Sequence, residues 1–107
     1  MFAGHVGVGL ALARGARDVN VAVFVAAALA LDVVLWACVL LGWESVRIPP
    51  DFAQTHQAAY VFPYSHGLAA AALWSVLGGW AARRAAAGGS AVRRRTEALV
   101  ALAVFSH

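Results

Sequence analysis

One stretch governs what this chain can fold into: Val19–Gly42 is almost unbroken apolar sequence, interrupted near its middle by a single carboxylate, Asp32. Between Val21 and Leu41 it holds twelve Leu, Val or Phe residues. Their insertion into lipid is worth about −5 kcal/mol, against about +3 kcal/mol for the aspartate. A helix of this length reaches across a ~30 Å hydrocarbon core. The remainder of the chain agrees. Of its 107 residues, 63% are apolar and 12% charged, where a soluble domain averages about 45–50% and about 25%. So short a chain has too few polar residues to cover an exterior facing water. Disorder is excluded too, because disordered chains are poor in apolar residues and rich in charge. The expected solvent, and the expected partner, is the lipid bilayer.

Three further apolar segments flank this one. The first covers about 2–14 and stops at Arg14–Gly15; at about 1.5 Å per residue it reaches only about 18–20 Å. The third covers about 65–83, with Ser65 as the expected N-cap. Its small residues Gly67, Ala71, Ser75 and Gly79 form a stripe along which another helix can approach closely. The fourth covers about 96–107 and is still apolar where the sequence ends. It is too short to span, so the chain is expected to continue beyond His107. Between the second and third segments, 43–64 reads as a loop around Pro49–Pro50, flanked by Trp43, Tyr60, Phe62 and Tyr64 in the manner of an interfacial aromatic belt.

The arginines orient this arrangement. Arg14 and Arg17 lie in the connection 14–18, and Arg83, Arg84 and Arg93–Arg95 in the connection 83–95, whereas 43–64 carries Glu44, Arg47 and Asp51. The excess of Arg places the first two connections in the cytoplasm and the 43–64 loop outside. The fold class expected is all-α: a single domain over 1–107, a polytopic transmembrane helical bundle of about four helices with the fourth incomplete. A net charge of +3 and an isoelectric point near 10 do not imply nucleic acid, because the arginines sit in short clusters between apolar runs. Cys38 has no second cysteine to pair with.

Against this background the ionisable residues stand out by depth. Taking about 1.5 Å per residue from the Arg-rich flanks, His5 lies about 14 Å up, His107 about 18 Å, Asp32 about 21 Å and His66 about 25 Å. Four segments thus each bring one such group into the middle-to-outer membrane. A carboxylate inside a membrane helix is costly and usually faces a partner, a cavity or an ion. Three imidazoles and a carboxylate are a donor set suited to zinc and similar divalent metals. The expected metal ligands are therefore His5, Asp32, His66 and His107. His56, among Gln54, Thr55 and Gln57, reads as a solvated loop residue, and Ser65–His66 and Ser106–His107 as neighbours splayed about 100° apart on a helix.

The run Gly4-His5-Val6-Gly7-Val8-Gly9, the Leu31-Asp32 step with Leu35-Trp36, the run Tyr64-Ser65-His66-Gly67-Leu68 and the terminal Phe105-Ser106-His107 come in a telling order. Together they resemble small bacterial inner-membrane proteins grouped as membrane-bound metal-dependent hydrolases. Those proteins look like distant membrane-embedded relatives of zinc phospholipase C and the zinc single-strand nucleases. The resemblance implies that His5, Asp32, His66 and His107 occupy metal-ligand positions. It is incomplete: Asp32 is followed by Val33-Val34-Leu35 where the family has Asp-x-Asp-His, and Phe62-Pro63-Tyr64 replaces a His-Arg step. These departures favour one metal over a cluster.

The expected function is accordingly that of an integral protein of the bacterial cytoplasmic membrane. It would be a metal-dependent hydrolase with a His/Asp site in the outer half of the bilayer, acting on a lipid or phosphoester. Zinc there would lower the pKa of water to about 7. Two alternatives compete. In one, Asp32 and the histidines are structural or relay protons without catalysis. In the other, His5 and His66 ligate a haem.

Overall fold

The computed structural model describes residues 2–107. Its elements are α1 (Phe2–Ala13), α2 (Val21–Ala28), α3 (Ala30–Leu40), β1 (Ser45–Arg47), α4 (Phe52–Thr55), β2 (Ala59–Val61), α5 (Leu68–Ala85) and α6 (Ser90–Phe105). The all-α expectation holds, since the sole sheet among the described residues is the two-stranded antiparallel β1–β2 ladder pairing Ser45 with Val61 and Arg47 with Ala59.

Two helical hairpins build the bundle. α1 packs on α2, α5 packs tightly along α6, and α2 leans on α6 to join the pairs. Phe24 and Ala103 are fully buried at that junction, with Leu31, Ala27, Val100 and Val104 around them. Val19, beside the first turn, and Ala85 and Ala86, beside the second, line one crevice, so the two Arg-rich turns share one end of a molecule 55 × 24 × 19 Å in extent.

The α5–α6 seam follows from the small-residue stripe. Ser75 and Gly79 are the buried positions of α5. A β-carbon at Gly79 would lie 2.8 Å from the Glu97 carbonyl oxygen and 3.0 Å from the Ala101 β-carbon, so only glycine permits this approach. The hydroxyls buried near the seam bond within their own helices, Ser75 Oγ to the Ala71 carbonyl and Thr96 Oγ1 to the Val92 carbonyl, which leaves no donor stranded among apolar neighbours. Gly79→Val should therefore force the helices apart and cost about 1–3 kcal/mol. A melting temperature unchanged from wild type under the same conditions would contradict this packing.

The helix boundaries differ from expectation in four places. The long second segment is not one helix: it breaks at Leu29 and bends by 45° between α2 and α3. No single helix among the described residues is long and apolar enough to cross a membrane; only the bent α2–α3 pair passes that test together. α6 begins at Ser90 rather than near Thr96, and takes in Arg93–Arg95. Arginine is a good helix former, and the turn is confined to 86–89, where Gly88 adopts φ +109°. The third helix starts at Leu68 with Gly67 as its N-cap, not Ser65. Finally, 43–64 is a folded excursion built on the β-ladder and the one-turn α4, which ends with His56 in the left-handed region.

Candidate metal centre

The break at Leu29 leaves something for the rest of the molecule to use. In a continuous helix the Ala28 carbonyl would accept from the Asp32 amide. Here α2 ends at Ala28, and that carbonyl lies 2.9 Å from Nδ1 of His107. A carbonyl only accepts, so Nδ1 carries the proton and donates, and in the neutral imidazole Nε2 of His107 keeps its lone pair. That Nε2 lies 3.2 Å from Oδ1 of Asp32, in the first turn of α3. The His107 side chain is 3% exposed and that of Asp32 36%. The carboxylate thus borders the open space while the imidazole is held from behind.

His66 enters from the opposite side, on the turn between β2 and α5. This turn is tightly tied. The His66 amide donates to the Phe62 carbonyl at 3.3 Å, and Trp74 Nε1 donates to the Tyr64 carbonyl at 2.9 Å. Gly67 is required here, because a β-carbon on it would sit 2.9 Å from the Pro63 carbonyl oxygen. Ser65 Oγ lies 2.8 Å from His66 Nδ1. The two residues are not on a helix, so the expected splay of neighbouring side chains does not apply and they bond directly. With Nδ1 so engaged, Nε2 is the free ring nitrogen.

Asp32, His66 and His107 each offer a donor atom, and the three atoms lie within 4.8 Å of one another. His5, the fourth expected ligand, comes to the same place from α1 but in a different role. Its ring stacks on His107, centroids 3.9 Å apart and planes at 17°. Ring nitrogens bind metals in the plane of the ring, so two nearly parallel rings do not aim at one point. The His66 ring meets His107 edge-on, at 5.0 Å and 67°. All four residues line one open cavity of about 630 Å³, together with Leu35, Trp36, Val46, Tyr60 and Phe62. His56 lies elsewhere, exposed at the end of α4.

The donor set is close enough to hold a divalent metal, since the three atoms lie within 4.8 Å of one another and one pair stands at ligand spacing. Zinc–nitrogen and zinc–oxygen bonds of about 2.0–2.1 Å put tetrahedral ligand atoms about 3.3 Å apart, close to the 3.2 Å between His107 Nε2 and Asp32 Oδ1. The Nδ1–H of His107 on a backbone carbonyl is the outer partner that metal-bound histidines usually have. Among the described residues, Glu44 is the site-side group that sequence reasoning passed over as a loop charge. It is buried, and one of its oxygens accepts from the amides of Tyr64 and Ser65 at 2.8 and 2.7 Å.

No protein family, curated protein or solved structure matches this chain.

Proposed function

We propose that the chain is a membrane-embedded helical bundle whose outer end holds one divalent metal on Asp32, His66 and His107, and that it is a hydrolase of lipid-borne or other phosphoesters. The observation that carries this reading is the three-donor group on the wall of a 630 Å³ cavity. Three protein ligands beside open space are the arrangement of catalytic zinc sites, whereas structural sites are closed by four. When bound, such an ion supplies Lewis acidity, polarising a phosphoryl or carbonyl oxygen and acidifying water.

The chain's own residues do the rest. The Ala28 carbonyl fixes the tautomer and tilt of His107. Asp32 contributes negative charge at the cavity wall, and His66 closes the donor set from the turn before α5. His5, stacked on His107, limits that ring's rotation and presents a polar edge to the cavity. Trp36, Tyr60 and Phe62 give the cavity an apolar rim suited to the acyl portion of an amphiphile.

Support for the membrane reading comes from the exterior. Leu40 is 86% exposed and Leu68 78%, with Val33, Leu41, Ile48 and Val76 also bare, a surface that lipid would accept and water would not. With the Arg-rich turns at one end, the positive-inside rule assigns that end to the cytoplasm of a bacterial inner membrane. The metal group and the 43–64 excursion then face outward.

The non-catalytic reading has an observation of its own, because with its ring protonated His107 would pair with Asp32 without any metal. Metal analysis of protein purified without chelator separates the two. About one zinc, manganese or iron per chain, lost on chelation together with hydrolysis of a chromogenic phosphodiester, is the expected result. A metal-free protein that refuses added zinc would leave Asp32 and His107 a structural pair. The haem alternative gains nothing from this packing: the rings of His5 and His66 both rest on His107, which occupies space a porphyrin would need.

A further inference from the structure

Glu44 is 4% exposed, and it is the residue whose Oε2 is, among the described residues, the one buried side-chain oxygen or nitrogen with no partner. A carboxylate in so dry a place is costly unless its neighbours compensate. They do so on one side only. Oε1 takes two hydrogen bonds from consecutive backbone amides, Tyr64 at 2.8 Å and Ser65 at 2.7 Å, a nest of N–H groups that favours an anion. An apolar residue would fill the same volume without the penalty. The position therefore makes sense through what the two amides belong to.

They belong to the turn that carries His66. Ser65, clamped through its amide, places its Oγ 2.8 Å from His66 Nδ1. Glu44 itself follows the end of α3, its own amide donating to the Cys38 carbonyl at 3.3 Å. One carboxylate thus ties the helix bearing Asp32 to the turn bearing His66. The β1–β2 ladder, starting one residue later at Ser45, fastens the same two strands of chain further out. The ladder sets the register of the excursion, and the carboxylate sets where its inner end stops.

We infer that Glu44 is the positioning residue of the metal centre, holding the Tyr64–His66 turn through Ser65 so that His66 reaches the donor group of Asp32 and His107. This rests on the metal reading proposed above and adds to it the outer strut that such a site requires. Glu44 touches neither the cavity nor the donor atoms. Its effect is on affinity for the ion, through the position and ring orientation of His66.

The test is a Co²⁺ titration of the full chain in detergent, followed by its visible ligand-field bands, with Zn²⁺ competition for affinity. Glu44→Ala is expected to weaken binding about 10–100-fold, the usual cost of losing an outer partner, and to shift the Co²⁺ bands. Glu44→Gln keeps one oxygen for both amides and should recover most of that loss. Ser65→Ala, which removes only the hydroxyl on His66 Nδ1, should fall between wild type and Glu44→Ala. If Glu44→Ala does not fold, Glu44→Gln and Ser65→Ala carry the measurement. Wild type that binds Co²⁺ alongside folded variants of equal affinity and identical spectra overturns the role of Glu44 alone. Wild type that binds no metal overturns the metal reading, and this inference with it.

Discussion

His107→Ala is expected to abolish metal binding, lowering affinity by well over the ~100-fold that loss of an outer partner causes, while leaving a helical protein. The substitution removes three things at once. The Asp32 carboxylate loses the nitrogen 3.2 Å away, the Ala28 carbonyl loses its donor, and His5 loses the ring it stacks on. Two donors, Asp32 and His66, then remain of the three. The second loss has a structural consequence. Sharp helix bends are attributable to Pro, to Gly/Ser pairs, to π-bulges or to a side chain or water inserted into the backbone ladder, and Val21–Leu40 contains no Pro, Gly or Ser and no π-turn. With His107 absent, the Ala28 carbonyl is free to accept from the Asp32 amide. Slower hydrogen exchange at residues 28–33 in His107→Ala than in wild type would identify the imidazole as the wedge. Metal bound by the variant at wild-type affinity would remove His107 from the donor set, and with it the proposed site.

The bend also marks what reading the chain alone could and could not reach. The candidate residues were legible because the sequence is so poor in charge: His5, Asp32, His66 and His107 stand out at similar computed depth, and the structure brings all four to one cavity. Helix spacing along four separate segments was enough for that. The bend at Leu29 was not legible, since Ala28, Leu29 and Ala30 are ordinary helix residues and the ring that meets the Ala28 carbonyl lies 79 positions away in sequence. His5 illustrates the same limit. Depth alone puts it among the ligands, but ring orientation, which depends on packing, sets it flat against His107.

Glu44 and Ser65 were hidden for a different reason. In a loop beside Trp43 and Arg47, an isolated glutamate reads as surface charge, and nothing nearby in sequence announces that the Tyr64 and Ser65 amides will close on it. Ser65 before an apolar run reads as an N-cap. Gly67 takes that position instead, because the chain must pass close to the Pro63 carbonyl, and the serine hydroxyl is left for His66. Conversely, the stripe from Gly67 to Gly79 was a sound guide at Ser75 and Gly79, where the seam with α6 is made. Local pattern predicted helix contact well and turn chemistry poorly.

Val76→Asp decides which solvent surrounds the bundle, and it is expected to prevent stable membrane integration. Val76 lies at the middle of α5, 67% exposed, well apart from the metal group. On a water-facing helix, exchanging valine for aspartate is nearly free: surface substitutions usually fall within about 0.5 kcal/mol, and the helix propensities of the two residues are similar. In lipid the same change costs about 3 kcal/mol at mid-depth, and a short carboxylate cannot snorkel to the headgroups as lysine or arginine does. α5 has little in reserve to absorb this, since it is rich in Ala and Gly and ends in Arg83–Arg84. On the proposed membrane reading, its hold in lipid would depend on packing against α6, the seam that Gly79 makes possible. The variant should therefore leave the carbonate-resistant membrane fraction and be degraded, whereas wild type and Val76→Leu remain there. Equal amounts of all three proteins, recovered folded without detergent, would return the apolar exterior to water and require another partner to cover it.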